Sequence, residues 1–365
     1  MNLHRLFKKT ILDKNFSTMT HELRTLLFST LSTAAEQNEY LEGLTSHADA
    51  IGWHLGKVDI LDFIEQLNAF FLLFLITLKR DTTLNFLTLA FDETYLPYYG
   101  KKGGTTPWIH GYKNKVKGAR GSYKFMSVSI IVRNQKFVLF TLPMATSDKS
   151  VVLVDELLTK IKKHFHVSLV LLDRGFASKE LAYNMEQQNQ KYIALCPKWK
   201  NVKQFLEQGI TGICETKKIR KHRREMVANM QYVIEYNLLK HDWVFVTNTD
   251  LCGMDLIRAY KARWGIETTF RVMDQADIKS KSTNIVIRTF FFLMSVVLYN
   301  MWIEQREELG LTFSKFLDVH ALSQKSLCQV IEEVKCAKET MGVPLTQEEK
   351  RMLSFLAPDR QEIVA

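Results

Sequence analysis

The sequence predicts an α/β protein built on a mixed sheet, with a helical region before it and a helical tail after it. Three observations carry this expectation. Residues 1–83 space their apolar side chains by three and four, as in MTHELRTLLFSTLSTAAEQNEYLEGL and DILDFIEQLNAFFLLFLITLK, which is the helical period. From Leu84 the texture changes to short apolar runs, NFLTLAFD, YKFMSVSIIV, KFVLFTLPM, VSLVLLD and KYIALC, the pattern of buried strands. Two helical stretches, SDKSVVLVDELLTKIKKHF and ASKELAYNMEQQN, separate the last three runs and are long enough for parallel crossovers.

Taken in order, residues 1–83 form a helical segment in which no helix-turn-helix stands out. The core spans 84–305, with a β-rich insertion at about 199–250, and 306–365 form a helical tail. The first strand ends at Asp92 and leads into a glycine- and lysine-rich loop. The second and third strands make a hairpin through Arg133-Asn134-Gln135, a short polar connection. Ser147 or Asp148 is the expected N-cap of the first crossover helix. A right-handed crossover then returns the chain parallel to the first strand, so the fourth strand ends at Asp173 beside Asp92. Ligands of open α/β sheets gather at such carboxyl ends. The insertion carries the strand-like runs QYVIEYN and DWVFVTN around a basic patch. A helix from near Met254 contains YKARWGIETTFRVMD. Continued without a break, it aligns Tyr260, Arg263, Glu267 and Asp274 on one polar stripe. Asn284–Glu308 reads as a long buried helix.

Composition narrows the function classes. The 365 residues carry a net charge of +10 and a pI near 9.2, which favours a polyanionic partner. The five cysteines, Cys196, Cys214, Cys252, Cys328 and Cys336, are odd in number and include no CxxC pair, so a disulfide framework or zinc knuckle is poorly supported and a reducing cytoplasm fits. The N-terminus MNLHRLFKKTILDKNF does not read as a secretory signal. The apolar run Ala69–Leu78 is too short to span a bilayer, and Ile285–Ile303 holds Arg288 and Asn300, so it reads as a core helix and no membrane partner is expected.

Asp92, Asp173 and Glu267 are the candidate catalytic and metal-binding acids. Each pair of ionised carboxylates held ~4 Å apart repels by about 4 kcal/mol at an effective dielectric of ~20, so converging acids need protons or cations between them. All-oxygen ligands suit Mg²⁺ or Mn²⁺, and two such ions can drive phosphodiester cleavage. An aspartate after a strand is also a common turn former or helix cap.

On these residues the chain resembles the DDE transposases of prokaryotic insertion sequences, whose core is ribonuclease H-like. AFDETYLPYYGKK resembles the first-aspartate block of that family, and LVLLDRGFASKEL the second, with Arg174 after its acid as a candidate DNA contact. YKARWGIETTFRVMD matches the Y-x2-R-x3-E-x6-K signature at Tyr260, Arg263 and Glu267, with Asp274 in the lysine position. The resemblance implies a transposase that cuts DNA at transposon ends and joins the 3′-hydroxyl to target DNA. It implies Asp92, Asp173 and Glu267 as ligands of two Mg²⁺ (or Mn²⁺) ions, and double-stranded DNA, both terminal inverted repeats and target, as partner. A homodimer in the synaptic complex and a cytoplasmic location follow. Tyr260 and Arg263 are implied as DNA-backbone contacts, and Arg271 takes the role of the missing lysine. A bland alternative for Arg263 is an ion pair with Glu267 one turn away.

Basic surfaces agree with a DNA partner. Lys101, Lys102, Lys113, Lys115, Lys117 and Arg120 follow the first acid, and no Asp or Glu occurs between Glu93 and Asp148. KKIRKHRR supplies Lys217, Lys218, Arg220, Lys221, Arg223 and Arg224. Both suit phosphate chains, and both are compatible with plain solvated loops. Trp199 is the candidate for stacking on an unpaired base, whereas Trp243 reads as core. A nuclease that cuts without joining, a silent DNA-binding descendant and a basic membrane-surface protein share the same charge.

Overall fold

The computed structural model describes residues 3–19, 21–37, 48–81, 86–101, 107–111, 116–132, 135–221, 224–324 and 326, and the side chains of most of these. Short helical turns run from Leu3 to Asn15, and the helices of eight residues or more are α1 (His21–Gln37), α2 (Ala48–Leu55), α3 (Ile60–Asp81), α4 (Ser150–Lys162), α5 (Lys179–Gln187), α6 (Lys200–Glu207), α7 (Gly253–Lys261), α8 (Gly265–Met273) and α9 (Ile285–Leu309). The strands are β1 (Phe86–Tyr98), β2 (Ile109–His110), β3 (Gly121–Val132), β4 (Gln135–Met144), β5 (His166–Leu172), β6 (Tyr192–Leu195), β7 (Gly212–Lys221), β8 (Arg224–Leu238) and β9 (His241–Thr247). The chain divides into two compact units, one formed by 71–270 and the other by 2–70 with 271–365.

The first unit is organised by one sheet in the order β2-β3-β1-β5-β6-β9-β8-β7, with β4 paired to β3. β1 runs antiparallel to β3 and parallel to β5, and β5 runs parallel to β6. This is the predicted topology of a meander followed by parallel crossovers. The insertion is joined to it, because β9 pairs with β6 and carries β8 and β7 outward on the same ladder. One face is covered by α7, whose Leu256, Ile257 and Tyr260 pack on Ala90, Leu171, Ile193, Trp243 and Phe245. Within this unit, Phe71 and Phe74 of α3 meet Phe140 and Phe137 of β4 at 5.6 and 6.3 Å.

The N-cap expectation for α4 needs correcting. Lys149 occupies the cap without a side-chain bond. Asp148 instead accepts the Ala145 N–H at 2.7 Å, closing the turn before the helix.

The second unit is helical. α9 is capped by Asn284, which accepts the Val286 N–H at 2.7 Å, and ends at Gly310 with φ of 61°, a left-handed stop that glycine makes without steric cost. α3 and α9 are both long and apolar enough to cross a bilayer. The buried run in α9 stretches from Thr289 to Ile303, as in the core helix of a globular protein. The apolar run seen at Ala69–Leu78 belongs to the 22-residue α3; in the part that lies in this unit Phe63, Leu67 and Phe70 are buried while Asp62 and Glu65 are exposed.

Candidate active site

The parallel pairing of β1 and β5 ends with Phe91 opposite Leu172. The next residues on the two strands are Asp92 and Asp173. Neighbouring strands lie ~4.8 Å apart, and side chains alternate faces. Asp92 therefore shares a face with Ala90, and Asp173 with Leu171, and that is the face α7 covers. The two acids are brought together as the strand order predicts.

Asp92 is not at the end of its strand, as the sequence suggested. β1 continues to Tyr98, and Asp92 pairs across to Ser127 of β3. It is β5 that stops. Asp173 leaves the sheet in an extended conformation and leads into a 3₁₀ turn over Arg174–Phe176, pinned by the buried Phe176 and its N–H bond to the Asp173 carbonyl at 3.0 Å. The Glu93 N–H donates to Asp92 Oδ1 at 2.9 Å.

The stretch read as one helix is broken. α7 ends at Lys261, Ala262–Trp264 form a 3₁₀ turn, and α8 begins at Gly265. The polar stripe is therefore lost. Tyr260, expected at the DNA backbone, is 0% exposed; its ring meets Phe245 at 5.1 Å and Trp243 at 6.5 Å. Arg263, expected there too, is 2% exposed. Its Nη1 lies 3.6 Å from Asp92 Oδ2 and its Nη2 lies 3.4 Å from Asp173 Oδ1. Its Nε–H donates to the Tyr260 hydroxyl at 3.2 Å. Burial works against the guanidinium charge, but Tyr260, Asp173 and Asp92 more than offset it and raise its pKa above the ordinary arginine value.

Glu267 lies in the first turn of α8, and its side chain is outside the described ones. Among the described residues no group of three His, Cys, Asp or Glu is arranged around a common point. Asp92 and Asp173 are a pair. Their oxygen donors are those a hard divalent cation takes, and both face the one guanidinium of Arg263.

The remaining expected contacts scatter. Arg174 is exposed directly beside Asp173, and Lys101, Lys117 and Arg120 are exposed at the far end of the β1–β3 ribbon, where the Arg120 N–H donates to the Tyr98 carbonyl at 2.8 Å. Lys102, Lys113, Lys115 and Arg223 lie outside the described residues. The basic run forms the end of the β7–β8 hairpin, with Lys221 opposite Arg224 and Arg220 opposite Glu225; the side chains of Arg220, Lys221 and Arg224 are not among those described. Lys218 is exposed, and Lys217 pairs with Glu215 at 2.8 Å. Arg271 is exposed on α8, and Asp274 is exposed in the following 3₁₀ turn. Trp199 is half-buried at the N-cap of α6. Trp243 is core, its indole N–H donating to the Leu238 carbonyl at 2.9 Å.

Sequence reasoning missed a polar knot on the opposite face of β1. Glu93 pairs with Lys124 of β3 at 2.8 Å, and accepts from the Ser150 hydroxyl at the start of α4 and from the Tyr95 hydroxyl at 3.2 Å. Burial, then the charge and hydrogen bond of Glu93, push the Tyr95 phenol up to about 12. The alternation Asp92-Glu93-Thr94-Tyr95 was the available signal, since a strand must send neighbouring acids to opposite faces.

Residues 86–301 match the model of the family described as the transposase DDE domain. The fold is similar to that of the piggyBac transposase, solved by cryo-EM as a synaptic complex with hairpin DNA. The TM-score is 0.53 at 13% identity, over 94% of this chain and 79% of that one. No curated protein sequence matches the chain. The fold class is the mixed, ribonuclease H-like sheet predicted from the sequence.

Proposed function

The chain belongs to the transposase DDE domain family, and from that premise we propose that it cuts DNA at the ends of a mobile element and joins each freed 3′-hydroxyl to target DNA. The observation that carries this reading is the parallel register of Phe91 with Leu172, which sets Asp92 and Asp173 side by side beneath α7. Asp92, Asp173 and Glu267 would hold Mg²⁺ or Mn²⁺, two ions in the complete site. Such ions, when bound, would supply activation of the attacking oxygen and charge stabilisation at the leaving one.

The chain itself contributes orientation and charge. The Glu93 N–H turns Asp92 toward the α7 face, and Arg263 keeps positive charge against both carboxylates. Arg174, Lys101, Lys117, Arg120 and the β7–β8 hairpin offer cations to phosphates, with Arg271 as a further contact. The net charge of +10 and the DNA held by the structurally similar transposase support double-stranded DNA as the partner.

Residues 84–305 serve as the catalytic core, 1–83 as the segment that recognises terminal inverted repeats, and 306–365 as support for a homodimer that brings two ends together. The setting is a prokaryotic insertion sequence expressed in the cytoplasm.

The test is end cleavage and strand transfer on DNA carrying the repeats that flank the gene. Metal-dependent 3′-hydroxyl and joined products are expected, each reduced at least about a thousandfold, roughly 4 kcal/mol of barrier, in Asp92→Asn and Asp173→Asn. Cut but unjoined DNA would instead make it a nuclease. DNA binding with no metal-dependent cleavage would make it a silent descendant.

A further inference from the structure

We propose that Arg263 is the resident cation of the Asp92–Asp173 pair, which holds the two carboxylates together before metal arrives and must leave them for a divalent ion to enter. This inference rests on the reading of Asp92 and Asp173 as metal ligands. It concerns what the chain does with those ligands while no ion is bound.

Three features argue for an exchangeable occupant rather than a fixed clamp. The first is distance. Charge-assisted N–H···O bonds run ~2.7–2.9 Å, whereas Arg263 stands 3.6 Å from Asp92 and 3.4 Å from Asp173. The guanidinium donates one long hydrogen bond, from Nη2 to Asp173 Oδ1 at 3.4 Å, and faces Asp92 as an ion pair at 3.6 Å.

The second is charge. Counting Glu267, the third proposed ligand, three carboxylates and one guanidinium carry a formal sum of −2, and a divalent cation in place of the guanidinium brings it to −1.

The third is the anchor. The Arg263 Nε–H is held by the Tyr260 hydroxyl at 3.2 Å and its guanidinium lies 5.6 Å from that ring, while Tyr260 is fixed in the core by Phe245 and Trp243. The side chain issues from a 3₁₀ turn between two helices and is 2% exposed, so its release requires the side chains packed on it to shift but neither helix to unwind. Once released, it is a cation beside a DNA phosphate entering the site, and metal loading and DNA engagement become one exchange.

A clamp and an occupant make opposite predictions. Removing a clamp loosens the ligands and weakens metal binding. Removing a competing cation strengthens it. The measurement is calorimetric titration of Mn²⁺ into the full chain without DNA, for the wild type, Arg263→Gln, Tyr260→Phe and the double variant Asp92→Asn with Asp173→Asn.

The expected result is tighter Mn²⁺ binding in Arg263→Gln by roughly 5- to 150-fold, the usual span of coupling between two ligands. Tyr260→Phe, which keeps the ring in the core but frees the guanidinium, is expected to tighten binding by a smaller factor, and it carries the test alone if Arg263→Gln does not fold. Unchanged or weaker binding in the folded variants overturns the proposal while leaving the ligand assignment intact. Mn²⁺ binding that survives in the double Asn variant, or that is absent from every chain, overturns the ligand assignment and the proposal with it.

Discussion

Two ion pairs of equal length lie in the same unit, and they are expected to differ several-fold in worth. Glu93–Lys124 and Glu215–Lys217 are both 2.8 Å long. The first has side chains 20% and 15% exposed and ties the middle of the sheet to the start of α4; the second, 23% and 37% exposed, lies on the β7–β8 hairpin. At 2.8 Å and an effective dielectric of ~20 the gross attraction is about 6 kcal/mol in either case, so distance does not decide the outcome. Solvent does. Removing one partner of a buried pair costs ~3–5 kcal/mol because the other is stranded, whereas an exposed pair yields ~0–1 kcal/mol; Glu93–Lys124, partly buried and tied to Ser150 and Tyr95, lies nearer the first limit, and Glu215–Lys217, with its lysine 37% exposed, nearer the second. Glu93→Gln retains an acceptor for the Ser150 hydroxyl, which leaves a loss of about 2–3 kcal/mol. Glu93→Leu, which strands Lys124, Ser150 and Tyr95 together, is expected to lose about 3–5 kcal/mol. Glu215→Gln is expected to lose no more than ~1 kcal/mol. Urea unfolding of the full chain, followed by far-UV circular dichroism at low salt, measures all three. Equal losses at the two sites, or a loss below ~0.5 kcal/mol in both Glu93 variants, would refute the claim that burial sets the value of this pair.

His320 supplies a pH prediction. Its imidazole is buried between Phe28 and Phe316, finds no hydrogen-bond partner for Nε2 among the described residues, and is lowered by burial to about 4. The unfolded chain takes up the proton first, so stability is full above pH ~6.5 and falls by up to about 3 kcal/mol as pH drops toward 4; urea midpoints at pH 7.5 and 4.5 should converge in His320→Phe. Replacing Lys217, Lys218, Arg220 and Lys221 with Gln is expected to flatten the salt dependence of DNA binding by ~0.9 per lost phosphate contact; an unaltered slope removes the hairpin from the DNA interface. Phe245→Ala opens a cavity against Tyr260 and Trp243 and is expected to cost ~3–5 kcal/mol, read by thermal unfolding.

Much of the scaffold was legible because periodicity reports burial directly. The hairpin β3–β4, the parallel β5 and β6, and the long buried α9 all follow from the spacing of apolar residues. The adjacency of Asp92 and Asp173 followed from strand order alone. What was not legible has specific causes. The text after Asp92, ETYLPYY, mixes polar and aromatic residues, so the apolar signal fades although β1 continues on hydrogen bonds to β3 alone. The break between α7 and α8 is marked only by Gly265, while the flanking residues keep a helical period. The burial of Tyr260 and Arg263 hid behind their polar ends, because a side chain's type does not say whether its polar end meets water or another buried group. Arg263 is buried against Tyr260 and against two acids distant in sequence, and no local window contains those acids.

The unequal lengths of β1 and β5 have a consequence for the setting of the two acids. Had both strands stopped together, the acids would line a level rim, open along its whole length. Instead β1 and its partner β3 rise past them on one flank while β5 turns away on the other, which makes a step with a wall on one side only. The two acids therefore lie at a step in the sheet, with the β1–β3 ladder continuing past them on one side.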